Sequence, residues 1–261
     1  MHGYFGYGAN MSGRALRAKG VVSHRARVAE VPGWILRFEL PSQLPSEGAF
    51  AGISPRPIGS EAPTVQGVLH ELDDAGMEAM DRFEGAGLNY ERRAVEVVVG
   101  GSREKAWAYV VKEPSTERCR PSRRYLNLLV DGAREHGIES NYIDWLGAHD
   151  VHPVVDPGPV QGAPDRWFTP TDIRMDGSLV AVNGLVFRLW GPEGFIHQIL
   201  GGQEVSLLQL HRMDTSEGDE TLEQVARGEL TPDQRAHLDR MAHDLLTLGD
   251  LVGRYRFDDR Q

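Results

Sequence analysis

An α+β fold in two successive segments is what this sequence predicts, on three observations. Apolar residues recur at every second position in some stretches and at helical spacing in others. Gly and Pro punctuate these stretches at short intervals. Residues 152–165, with four prolines and two glycines, then separate the two segments near residue 150. With 261 residues, 40% hydrophobic and 25% charged, each segment can bury a core without a metal or disulfide staple.

Tyr4-Phe5-Gly6-Tyr7 reads as a short aromatic strand ending at Gly8. Ser12 caps a helix from Gly13 through Lys19, closed by Gly20. Residues 26–31 alternate as a strand, Pro32-Gly33 turns the chain, and residues 34–38 continue as another. The Pro- and Gly-rich stretch 40–63 is loop around a short strand near 50–53, and Val65–Leu72 is again a strand. Asp73 or Asp74 caps the next helix, whose apolar Met77, Met80 and Phe83 share one face and whose last turn holds Glu84, before Gly85-Ala86-Gly87. Residues 94–99, a Gly100-Gly101 turn and residues 106–111 form a hairpin. Pro121-Ser122 starts a helix through Tyr125 to His136, stopped by Gly137.

In the second segment Asn183-Gly184 joins Leu179–Val182 to Leu185–Leu189, a strong hairpin signal. Thr231-Pro232 then opens a long helix with Leu238, Met241, Leu245, Leu248 and Val252 along one face. That face packs either into the chain's own core or into the seam of a homodimer.

Charge and composition exclude several function classes. Of the formal net charge of −10, the part from Val151 onward carries 18 Asp and Glu against 10 Arg and no Lys. Neither segment has the basic stripe that phosphate neutralisation requires, which argues against a nucleic-acid partner. No apolar run approaches the roughly 18 residues needed to span a membrane, and the N-terminus has no signal-peptide pattern, so a cytoplasmic location is the expectation. The single Cys119 rules out an intrachain disulfide. Among ten histidines His149 and His152 are three apart and His237 and His243 six apart, with no HExxH or CxxC spacing, and the Gly-Gly pairs lead into no phosphate-binding loop; no cofactor is expected.

Two features remain that could carry chemistry. At Tyr7-Gly8-Ala9-Asn10 a strand ends in a residue without a side chain, so successive backbone N–H groups could grip a carboxylate or oxyanion; the plainer reading is a bend into the helix. Glu84 sits at a helix C-terminus, where the dipole disfavours a carboxylate, beside apolar Met80 and Phe83. Both effects would raise its pKa toward that of a general base; the plainer reading is an exposed Glu before a Gly stop.

Together these features resemble the gamma-glutamylcyclotransferase group (gamma-glutamylcyclotransferase-like, AIG2-like). Tyr4-Phe5-Gly6-Tyr7-Gly8-Ala9-Asn10 resembles its N-terminal Tyr-Gly-Ser-Asn signature, with Ala9 in place of the usual hydroxyl residue. Phe83-Glu84-Gly85 followed by Tyr90 resembles its Glu-Gly…Tyr segment, where the Glu is catalytic. Arg27-Val28 with residues 34–38 resembles its paired early strands, Ala106-Trp107-Ala108-Tyr109 the strand after the catalytic loop, and Pro121-Ser122-Arg123-Arg124-Tyr125 a helix start whose Tyr contacts substrate. The ordered set spans residues 3–147.

The resemblance implies a small mixed, barrel-like sheet with flanking helices over residues 1–150, and leaves 151–261 as an accessory α+β segment with a hairpin and a long helix. It implies a cyclotransferase that releases 5-oxoproline and a free amine from a small-molecule gamma-glutamyl amine, amide or peptide. The substrate's α-amine attacks its own gamma-carbonyl, with Glu84 as acid and base and no metal. Tyr4, Phe5, Gly6, Tyr7, Gly8, Ala9, Asn10, Tyr90 and Tyr125 would bind the glutamyl group. The alternatives are an amide hydrolase using the same carboxylate, or a binding or regulatory module without turnover.

Overall fold

The computed structural model describes residues 1–117, 119–191 and 194–257. Its chain forms two units by contact, one of Met1–Ser42 with Glu47–Pro153, the other of Gln43–Ser46 with Val154–Gln261.

Alternation along the first unit's strands supplies two apolar faces, and the chain closes them into a barrel. Strand β1 (His2–Gly6) is followed by a 3-10 turn at Ala9–Met11 and helix α1 (Gly13–Ala18), capped by the Ser12 hydroxyl. Next come β2 (Arg25–Val31), β3 (Trp34–Pro41), β4 (Ala49–Pro55) and β5 (Val65–Leu72). Helix α2 (Asp74–Glu84), β6 (Tyr90–Val99), β7 (Ser102–Val111), α3 (Arg123–Glu135) and α4 (Ser140–Gly147) complete the unit. The barrel order is β1-β5-β2-β6-β7, closed by a parallel β7–β1 pairing at Tyr4 and Trp107.

Successive residues of β1 serve different cores. Phe5 joins Val31, Val68, Val97 and the α3 residues Leu126 and Leu129, whereas Tyr4 joins Leu72, Met77, Met80 and Tyr109 beneath α1 and α2. Fully burying a side chain such as Met80 or Leu129 contributes about 1.5–3 kcal/mol. In α2 the Asp73 carboxylate accepts from the Gly76 N–H at 2.7 Å, and Gly85 ends the helix in the left-handed region at φ 60°. The third apolar position of α2 departs from its expected role. Phe83 is only half-buried, and its ring carries the Lys19 ammonium at 5.9 Å and the Arg82 guanidinium at 5.8 Å.

The early strands are not paired with each other, contrary to the sequence expectation. β2 runs antiparallel to β5 over its full length, and β3 pairs instead with β4 in a separate two-stranded ladder. Pro32-Gly33, with Gly33 at φ 81°, carries the chain from barrel to ladder rather than folding a hairpin.

The second unit is a five-stranded sheet of order β11-β9-β10-β12-β8, with five helices among the described residues. Its elements are β8 (Trp167–Phe168), α5 (Pro170–Met175), β9 (Leu179–Val182), β10 (Leu185–Leu189), α6 (Phe195–Leu200) and β11 (Gln203–Glu204). α7 (Ser206–Leu210), α8 (Leu222–Arg227), α9 (Pro232–Leu246) and β12 (Gly249–Tyr255) follow. Asn183 and Gly184 both have positive φ, 49° and 76°, as a two-residue hairpin turn demands. Ser46 belongs to this unit through its N–H and hydroxyl, which donate to the Asp244 carboxylate of α9.

The long helix is shorter than its apolar pattern suggested. α9 begins at the expected Thr231 cap but ends at Leu246, and Val252 lies on β12, which pairs with β10. Pairing with a strand some sixty positions away overrides the local helical period, and Gly249 allows it: a Cβ there would sit 2.3 Å from the Arg188 carbonyl oxygen. Leu238, Met241, Ala242 and Leu245 are buried within the unit, so a dimer seam on this helix would need the same face. Among the described residues no helix is long and apolar enough to cross a membrane.

One acid in this sheet makes stability pH-dependent. Burial pushes Glu204 up to about 7, against the lowering effect of bonds from the Ser206 hydroxyl and N–H. The folded state therefore holds a proton that the unfolded chain releases near 4.5, and stability falls as pH rises from about 4.5 to 7. The expected loss is up to about 3 kcal/mol. Glu204→Gln should flatten that slope in denaturant titrations across this range; an unchanged slope contradicts the assignment.

Candidate active site

Glu84 and Asn10 are 74 positions apart in the sequence and meet directly. The 3-10 turn that follows β1 brings in Asn10, and the capped C-terminus of α2 presents Glu84. The Asn10 Nδ2 donates to Glu84 Oε1 at 2.9 Å and to the Tyr4 hydroxyl at 2.9 Å. Lys19, the C-cap of α1, donates its ammonium to Asn10 Oδ1 at 2.7 Å and to Glu84 Oε1 at 2.8 Å. This network orients the Asn10 amide: a carboxylate faces its NH2 and an ammonium faces its oxygen.

The Lys19–Glu84 pair is nearly enclosed, with side-chain exposures of 13% and 15%. The expectation from sequence considered only the helix end and apolar neighbours around Glu84. In the structure an opposite charge, the Lys19 ammonium, is also in contact with it.

Four tyrosines, Tyr4, Tyr7, Tyr90 and Tyr109, feel the Glu84 charge. Tyr4, Tyr7 and Tyr90 are all held well above the ordinary phenol value, first by burial. The Glu84 charge adds to the shift in each. They therefore remain protonated: Tyr7 donates to the Tyr109 carbonyl and Tyr90 to the Ala51 carbonyl at 2.9 Å, while the Tyr4 hydroxyl accepts from Asn10. The Ala51 N–H in turn donates to the Tyr125 hydroxyl at 3.2 Å. Gly8 lies close beside it: a Cβ on Gly8 would be 3.0 Å from that hydroxyl oxygen, so the Tyr125 side chain would have to shift to admit one.

Tyr4, Tyr7, Gly8, Asn10, Glu84, Tyr90 and Tyr125 thus converge, with Ala9 half-buried at the start of the turn. Phe5 does not join them. It is fully buried in the barrel core, where its ring leaves no room for a Cβ on Gly67. Gly6 makes its contribution by absence, as a Cβ there would be 2.6 Å from the Asn10 carbonyl oxygen.

Two residues near the site had no place in the sequence reading. Lys19 is one. Glu39 is the other, at a bulge in β3 and only 4% exposed, with the Ser54 hydroxyl at 2.8 and 3.0 Å from its two oxygens. Burial raises its pKa, against Ser54 and Arg37, and its charge adds to the forces that keep Tyr7 protonated. Gly52 makes space for it, because a Cβ there would sit 2.5 Å from Glu39 Oε1. Among the described residues no group of three His, Cys, Asp or Glu could hold a metal ion.

Residues 64–146, which run from β5 to α4 and include Glu84, Tyr90 and Tyr125, match the AIG2-like family. No curated protein sequence matches the chain. Among solved structures, uncharacterized protein loc79017 from Homo sapiens is similar at 23% identity and a TM-score of 0.51, over 59% of this chain and 90% of that one. A structure named gamma-glutamyl cyclotransferase is similar at 23% identity and a TM-score of 0.51, over 61% and 93%. With its closed five-stranded barrel and flanking helices, the first unit has the AIG2-like, gamma-glutamylcyclotransferase-like fold.

Proposed function

We propose that the first unit is a cyclotransferase that releases 5-oxoproline and a free amine from a gamma-glutamyl amine, amide or peptide. The observation that carries this reading is the 2.9 Å hydrogen bond between Asn10 and Glu84, which joins the N-terminal turn to the helix-end carboxylate. A structural neighbour's name, gamma-glutamyl cyclotransferase, agrees with it.

The chemistry asks little of the protein beyond positioning and proton transfer. Both reacting groups belong to one substrate molecule, and holding them in attack geometry is worth about 7–11 kcal/mol. Glu84, in contact with the Lys19 ammonium, takes a proton from the substrate's α-ammonium. The freed amine attacks the gamma-carbonyl and closes a five-membered ring. Glu84 then returns that proton to the departing nitrogen and carries the ring nitrogen's second proton to the released amine, which leaves as an ammonium ion, so the carboxylate ends as it began. In this scheme the N–H groups of Gly8, Ala9 and Asn10 hold the α-carboxylate or the developing oxyanion, and the protonated tyrosines orient the glutamyl chain. No step needs a metal ion.

The test is a panel of gamma-glutamyl amines, gamma-glutamyl dipeptides and glutathione, with 5-oxoproline and glutamate measured separately. The expected product is 5-oxoproline from at least one class. Glutamate alone would make the protein an amide hydrolase, and binding without either product would make it a binding module.

A further inference from the structure

His70 is fully buried on β5 and is not used by the proposed reaction, yet both of its ring nitrogens are engaged. Nε2 lies 3.0 Å from the Asn10 carbonyl oxygen, and Nδ1 lies 2.9 Å from the Ser23 hydroxyl. A carbonyl oxygen can only accept, so Nε2 must carry a proton. Burial and the neighbouring His136 push His70 down to about 4, although the backbone of Asn10 and Met11 and the charge of Glu135 oppose this. The ring is therefore neutral near pH 7, with Nε2–H donating to Asn10 and Nδ1 facing the Ser23 hydroxyl, whose single proton is shared between Nδ1 and the Arg25 carbonyl at 3.0 Å.

The same ring stacks against Tyr4, with centroids 6.2 Å apart and planes at 23°, and meets His136 edge-on at 6.0 Å. Tyr4 and the backbone of Asn10 are the two supports from which the Asn10 amide reaches Glu84. Gly6 completes the arrangement by leaving room for the Asn10 carbonyl to turn inward toward His70.

We propose that His70 is a positioning residue of the site: its Nε2–H pins the Asn10 carbonyl and its ring backs Tyr4, which together aim the Asn10 amide at Glu84. The role rests on the cyclotransferase reading for its consequence in turnover, but not for its geometry. His70 touches neither Glu84 nor, in this scheme, the substrate. It acts by fixing the turn, so its loss should slow the chemical step more than it weakens binding.

The experiment compares His70→Gln with His70→Asn in the full chain. A Gln amide reaches the place of Nε2 and can still donate to Asn10; an Asn amide reaches only the place of Nδ1. The Gln variant should keep kcat within about threefold, whereas the Asn variant should lose about 100-fold in kcat with KM little changed. Exchange of the Met11 and Ser12 amides should accelerate in the Asn variant alone. A general packing role would affect the two polar replacements alike, and equal behaviour overturns the proposal. Loss of kcat in the Gln variant overturns it as well, whether or not the Asn variant folds. If the unsubstituted protein yields no 5-oxoproline from any gamma-glutamyl substrate, the cyclotransferase reading fails. Equal amide exchange in the two variants would then overturn the positioning role separately.

Discussion

Glu84→Gln should lower 5-oxoproline release about 1000-fold while the chain stays folded. The amide keeps the shape of the carboxylate and, with its oxygen placed at Oε1, still accepts from Asn10 and Lys19. What it loses is the capacity to take a proton from the α-ammonium and return it to the leaving amine. KM should change much less than kcat, because the proposed contacts to the glutamyl group come from the turn and the tyrosines. Removing one charge of a nearly enclosed pair leaves the Lys19 ammonium less well compensated, at a cost of about 1–3 kcal/mol. Thermal unfolding and steady-state kinetics on the same preparation separate the two effects. A variant that unfolds at lower temperature yet turns over normally would remove Glu84 from the mechanism.

Asn10→Ala should be the second most damaging single change. The Asn10 side chain satisfies the Tyr4 hydroxyl, Glu84 and Lys19 at once, in a residue only 8% exposed. Truncation removes those bonds where water enters poorly, and a loss of about 2–3 kcal/mol is expected from the groups left behind. The effect on kcat should be about 100-fold, because Glu84 keeps its contact with Lys19 but loses the one that fixes it against the turn. Denaturant unfolding and kcat measured together check this. Normal turnover would show that the turn and the carboxylate work independently.

What could be read in the sequence divides according to the range of the interaction. The ends of α2 and the hairpin at Asn183-Gly184 were legible because caps and turn residues within a few positions set them. The β2–β5 pairing and β12 were not, since each depends on a partner chosen among strands distant along the chain. The candidate site shows the same division. Tyr7–Asn10 and Glu84 stand out through local Gly signals and a family resemblance, but Lys19 is 65 positions from the carboxylate it pairs with. A lysine closing the helix directly after the turn was the available hint. For His70 the hint was alternation: on β5 it shares a face with Val68 and Leu72, which marks a buried imidazole that must find partners. Glu39 offered a similar one, a carboxylate inside the apolar run 34–40.

The most direct test of the central claim uses one gamma-glutamyl substrate in two forms, with its α-amine free and with that amine acetylated. Intramolecular attack predicts 5-oxoproline from the free form, and neither N-acetylglutamate nor released amine from the blocked form. Release of the amine from the acetylated substrate would show that water or a protein group attacks the gamma-carbonyl, and would contradict the account.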